Sequence, residues 1–201
     1  MKRLLALAVL FLFLLNAQGA LQKAYYLTKN GDSVHGKIEV RTMKYFEDSV
    51  NYYELQYGVL FVESGGKVIY IRPNESLKEI GFWFGGKVRK MHCLNTKEAA
   101  GLVMVKKRKY IFLSLALNGP MSIYSVVNKK VFRFIGYYSD ISFYSRKERK
   151  HIRWNLRRST DDFRWLAGSC MEAENFARNK GIFTLEDAFE FVYTYNKYCS
   201  E

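Results

Sequence analysis

The chain has 201 residues, 49% of them hydrophobic, with 15 Tyr, 15 Phe and 3 Trp. Only two prolines occur and no low-complexity tract or long-period repeat is visible. This composition excludes a disordered chain or a solenoid, and the length suits one domain or two small ones. A formal charge of +13 narrows the partners to anionic ones without choosing among them.

At the amino terminus Lys2 and Arg3 precede LLALAVLFLFLL, residues 4–15, which contain no polar side chain. A helix needs about 20 apolar residues to span hydrocarbon, so this run fits the core of a secretory signal followed by the small residues of NAQGA. The reading is a signal peptide over residues 1–19, cleaved after Gly19, with Ala20 as the alternative. No cysteine follows the apolar run, which disfavours a lipid anchor, and removal of the leader lowers the formal charge to +11. The expected location is the periplasm or cell envelope, with no transmembrane segment after cleavage. There a basic chain meets anionic lipid, glycan or an envelope protein, and nucleic acid is not an expected partner.

Residues 20–158 read as an antiparallel β-rich domain, because short runs of Tyr, Phe, Val and Ile are separated by turn residues. AYYLT and SVHGKIEV flank Asn30-Gly31, which predicts a hairpin with a two-residue type I′ turn. Ser64-Gly65-Gly66 and Gly85-Gly86 mark two more hairpins. Asn118-Gly119 marks a fourth, weakened by Pro120, which has no amide proton. VFRFIGYY, ISFYS and HIRWNL add further strands. The basic stretch RKERKHIRWNLRR, 146–158, reads as a solvated hairpin with Ile152, Trp154 and Leu156 inward. Its second reading is an anion-binding set of Arg146, Arg149, Lys150, Arg153, Arg157 and Arg158.

Residues 159–201 read as a helical segment packed on that domain, with helices over about 161–168 and 170–180 and a third after Thr184. Thr184 and Asp187 have the spacing of a capping box, and Leu185, Ala188, Phe189, Val192 and Tyr195 make one apolar face. If the last two helices form an antiparallel pair, Cys170 and Cys199 lie at adjoining ends, and a disulfide between them is expected in an oxidising compartment. Cys93 is left over, buried in a strand. The fold class is therefore α+β: an antiparallel meander, as a sheet or partly open barrel, followed by two to three helices.

Catalytic signatures are absent from the sequence: no Gly-x-Ser-x-Gly, His-Glu-x-x-His, Cys-x-x-Cys or P-loop. His35, His92 and His151 are far apart, and no spacing suggests a metal site or cofactor. His92 and Cys93 are neighbours on a strand, so they point to opposite faces and are poorly placed as base and nucleophile. The expected function is a non-catalytic binding module. The alternatives are an immunity or inhibitor protein for a periplasmic toxin, or an enzyme whose site is assembled from distant residues.

The segment YYLTKNGDSVHGKIEV, with Gly31, Asp32, Ser33, Gly36, Lys37 and Ile38, resembles the opening of a group of uncharacterised exported proteins of Bacteroidetes-type bacteria. In that group Gly-Asp-Thr/Ser followed by Gly-Lys-Ile begins a β-rich domain. Gly119, Ile123-Tyr124, Cys170 and Tyr195-Asn196 match its later motifs. The resemblance implies an envelope protein with no cofactor or catalytic residue to carry over.

Overall fold

Turn chemistry sets the strand order, and it differs from expectation at one informative place. The computed structural model describes residues 19–43, 46–96, 108–132, 134–154 and 160–199. Strands β1 (Ala20–Thr28) and β2 (Ser33–Val40) form the first hairpin. Gly31 has φ +95, whereas Asn30 is not at positive φ. The Gly31 amide donates to the Thr28 carbonyl at 3.2 Å and the Thr28 amide to the Asp32 carbonyl at 2.9 Å. The connection is thus a three-residue loop with glycine in the bulge position, and the expected type I′ turn is corrected. The same device joins β5 (Val59–Glu63) to β6 (Val68–Ile71). There Gly66 has φ +83 and its amide donates to the Glu63 carbonyl. The two-residue turn occurs instead between β7 (Leu77–Phe84) and β8 (Lys87–Asn95), where Gly85 and Gly86 have φ +58 and +70 and Phe84 faces Lys87.

The remaining strands are β3 (Thr42–Met43) and β4 (Phe46–Val50), which form a separate pair, and β9 (Tyr110–Leu117), β10 (Met121–Phe132), β11 (Phe134–Ser145) and β12 (Lys150–Arg153). Ten strands make one open antiparallel sheet in the order β12-β11-β10-β9-β8-β7-β1-β2-β5-β6. Two runs of sequential hairpins are fused where β1 pairs with β7, at Ala24–Phe82 and Tyr25–Gly81 among others. A short helix α1 (Tyr52–Leu55) precedes β5. Just after it, the Gln56 carbonyl accepts the Phe112 amide of β9 at 3.0 Å.

Three helices follow: α2 (Thr160–Ala167), α3 (Met171–Lys180) and α4 (Leu185–Tyr198). Thr184 and Asp187 form the expected capping box on α4. The buried stripe of α4 is Ala188, Phe191, Val192 and Tyr195, while Phe189 is partly exposed, so the apolar face is turned slightly from the one the sequence suggests. These residues pack with Phe163, Leu166, Ala173 and Ala177 of α2 and α3 against Met121, Ile123, Phe143 and Ile152. Trp154 packs against the same cluster, so Ile152 and Trp154 do turn inward. Leu156 lies outside the described residues.

Strand alternation divides the sheet into two faces. On the helix face a second core joins Ala24, Ile38, Phe61, Ile80, Phe82, Met91 and Phe112 to Val50 and Leu55. Asn196 of α4 fixes the helices to the sheet. Its side-chain amide donates to the Met121 carbonyl at 2.9 Å and its Oδ1 accepts the Met121 amide at 2.7 Å. A methyl group at Gly119 would overlap that carboxamide, so two positions 77 residues apart in number meet because one of them has no side chain. Tyr195 adds a contact of 3.1 Å between its hydroxyl and Ser145 Oγ.

Candidate functional site

The face away from the helices has a buried polar half and an exposed half. In the buried half, register brings Glu79 of β7 opposite His92 of β8, and Tyr124 of β10 lies on the same side. Glu79 Oε1 accepts the Tyr25 hydroxyl at 2.8 Å, and Lys90 Nζ is 3.6 Å from the same oxygen. His92 Nε2 is 3.5 Å from Glu79 Oε2, and Nδ1 is 2.9 Å from the Tyr124 hydroxyl. Arg146 Nη2 is 3.4 Å from Nδ1 and also donates to Asn118 Oδ1 at 3.2 Å. A guanidinium only donates, so Nδ1 is the accepting nitrogen and Nε2 carries the proton toward Glu79.

His92, then Tyr25 and Lys90, hold the Glu79 carboxyl down at about 2 despite burial. Burial raises the Tyr124 phenol, and burial followed by Glu79 raises the Tyr25 phenol. Both imidazole nitrogens are engaged and His92 and Tyr124 are buried, so neither of these two side chains is open to solvent. This chain of groups ties β1, β7, β8 and β10 together. Cys93 faces the other core, where its thiol donates to the Asn74 carbonyl at 3.2 Å and burial pushes it up to about 11. The expected separation of His92 from Cys93 is observed.

The exposed half presents Leu21, Leu60, Val68, Tyr70, Trp83 and Val88 to solvent. Their positions in register, such as Leu60 opposite Tyr70 and Trp83 opposite Val88, place them all on this face. Trp83 is 40% exposed and meets the Tyr25 ring edge-on at 6.1 Å between centroids. A shallow cleft of about 440 Å³ runs beside it, lined among others by Leu21, Lys23, His35, Lys37, Glu63 and Trp83.

The residues of the expected anion-binding set do not gather on this surface. Arg146 reaches back to His92 and Asn118. Arg149 is exposed in the turn before β12 with φ +52. Lys150 Nζ donates to the Trp165 carbonyl at 2.9 Å, stacks over the Trp165 ring and pairs with Glu148 at 3.6 Å. Arg153 is half-buried in β12. Arg157 and Arg158 lie outside the described residues. Lys23, Tyr70 and Trp83 carry no motif, and Lys37 enters the sequence reading as part of the Gly-Lys-Ile motif and not as a ligand contact. The signal available was the first hairpin's register, which depends on its turn.

Cys170 caps the amino end of α3, with the Ala173 amide directed at its sulfur, and Cys199 caps the far end of α4. They form a disulfide with Cα atoms 5.8 Å apart, and Cys93 is free and buried. Among the described residues, the metal-type donors that cluster are Cys170, Glu172 and Cys199, and the disulfide occupies both sulfurs. No helix among the described residues is long and apolar enough to cross a membrane. In comparisons with known proteins, no family model, curated protein or solved structure matches the chain.

Proposed function

We propose that this protein is an exported, non-catalytic binding module that meets an envelope partner through the exposed half of the sheet. The observation that carries this reading is the set of six large apolar side chains held on one face of β1 and β5–β8. Large apolar side chains gathered on one exposed face mark an interaction site more often than residues scattered singly do. The engaged imidazole and the raised Tyr124 phenol argue against a second reading as a His/Tyr enzyme. Export is supported by the leader, by the Cys170–Cys199 disulfide and by the resemblance of the opening strands to exported proteins.

Sedimentation with isolated cell envelopes tests the surface. The wild-type protein should pellet with envelopes, and a Trp83→Ala, Tyr70→Ser variant with an unchanged circular dichroism spectrum should stay in the supernatant. Equal pelleting of the two contradicts the reading. For export, amino-terminal sequencing of the processed form should begin at Ala20 or Leu21, and a soluble cytosolic form that retains Met1 refutes it.

A further inference from the structure

Lys23 of β1 and Lys37 of β2 are directly opposed in register, on the face that carries Trp83. Side chains opposed in this way have Cβ atoms about 4.5–5.5 Å apart, and like charges there destabilise the pair. Among the described residues neither lysine has a salt bridge. Glu39, on the same face, is taken by Arg41 at 3.0 Å. Both lysines line the cleft beside Trp83, with His35 on the same wall. Two exposed lysines opposed across neighbouring strands, beside an exposed indole, match a ligand that joins negative charge to a flat apolar face.

From this, and resting on the binding-module reading, we infer that the cleft binds an acidic polysaccharide. The C–H face of one sugar ring packs on Trp83, and a carboxylate, sulfate or phosphate of the chain bridges Lys23 and Lys37. The indole is set in advance, because Tyr25 supports it edge-on and is itself anchored to Glu79 at 2.8 Å; preorganisation lowers the cost of binding. The cleft of about 440 Å³ is within the usual range of roughly 300–1,000 Å³ for small-ligand sites. Its shallow form suits a segment of polymer. A planar anionic membrane laid on this face would also bring negative headgroups over Glu63, which lines the same cleft. A linear polymer can follow the lysines and avoid it.

Isothermal titration with dextran sulfate, uncharged dextran and phosphatidylglycerol vesicles tests the inference on the full chain. Dextran sulfate should bind, more weakly as salt is added, and neutral dextran should not. A Lys23→Gln, Lys37→Gln variant should bind about tenfold or more weakly, the loss expected for charge-assisted contacts. Its thermal midpoint without polymer should be no lower than that of the wild type, since a repulsion has been removed. Trp83→Ala should bind more weakly while keeping the wild-type salt dependence. Replacing the exposed Lys78 and Lys197 by Gln should leave binding unchanged.

Equal weakening by both lysine pairs would reduce the effect to bulk charge and overturn the inference. Binding to vesicles in preference to dextran sulfate, with the same dependence on Lys23 and Lys37, would also overturn it by naming a lipid surface. A protein that pellets with envelopes yet ignores dextran sulfate loses the polysaccharide and keeps the binding surface. One that never pellets loses the binding-module reading itself.

Discussion

Glu79 shows how much can depend on a single buried carboxylate. Its two oxygens face Tyr25, Lys90 and His92, and the charge is worth keeping only while those partners remain. Its folded value of about 2 lies below the ordinary 4.5. The ionised group therefore contributes stability that is fully present above about 4.5 and is lost as pH falls through about 2. Glu79→Gln should cost roughly 1–3 kcal/mol at pH 7 in urea denaturation, and the gap to wild type should close on acidification across that window. Parallel acid curves for the two proteins would show that Glu79 is not an ionised partner. At this scale the sequence was partly legible: alternation alone separates His92 from Cys93. It does not bring Tyr25 to Glu79, because that contact needs the pairing of β1 with β7, across 54 positions.

Among the elements, the first hairpin shows what one turn residue decides. A two-residue turn at Asn30-Gly31 would set Lys23 opposite Ile38. The three-residue loop sets it opposite Lys37, and such a one-residue slip changes which side chains share a face. Gly31→Ala should therefore cost about 1–2 kcal/mol for its left-handed backbone, and Asn30→Ala much less. A comparable cost at Asn30, read from thermal or urea unfolding, would restore the type I′ turn. Helix signals were clearer than turn signals. The capping box at Thr184 and Asp187 is formed as its spacing suggests, because its partners are three residues apart. The role of Asn196 was hidden, since its two hydrogen bonds go to the Met121 backbone of another element. Asn196→Ala should cost about 1–3 kcal/mol by leaving those buried groups unpaired, and should speed hydrogen exchange at the Met121 amide. Unchanged exchange there would deny the docking role.

For the whole molecule, β-rich and helical parts were legible from the change of hydrophobic period, whereas the joining of two hairpin runs through β1 and β7 was not. Alternation specifies which side of a strand is buried, and short turns specify its next neighbour; neither encodes a pairing between distant hairpins. The disulfide closes the helical layer across a separation of 29 residues. In the chain-entropy account a crosslink of this length contributes roughly 3–4 kcal/mol. A Cys170→Ser, Cys199→Ser protein should lose about that much, and mass mapping without reductant should join the two peptides; free thiols at both positions would contradict the bridge. The layer it closes leaves Trp165, Met171 and Phe183 exposed, while the opposite side leaves Leu60, Tyr70 and Trp83 exposed. Hydroxyl-radical footprinting of envelope-bound protein separates these two sides in one experiment. Protection of Leu60, Tyr70 and Trp83 with continued oxidation of Trp165, Met171 and Phe183 is the predicted result. Protection of the helical side with Tyr70 and Trp83 still oxidised would contradict it.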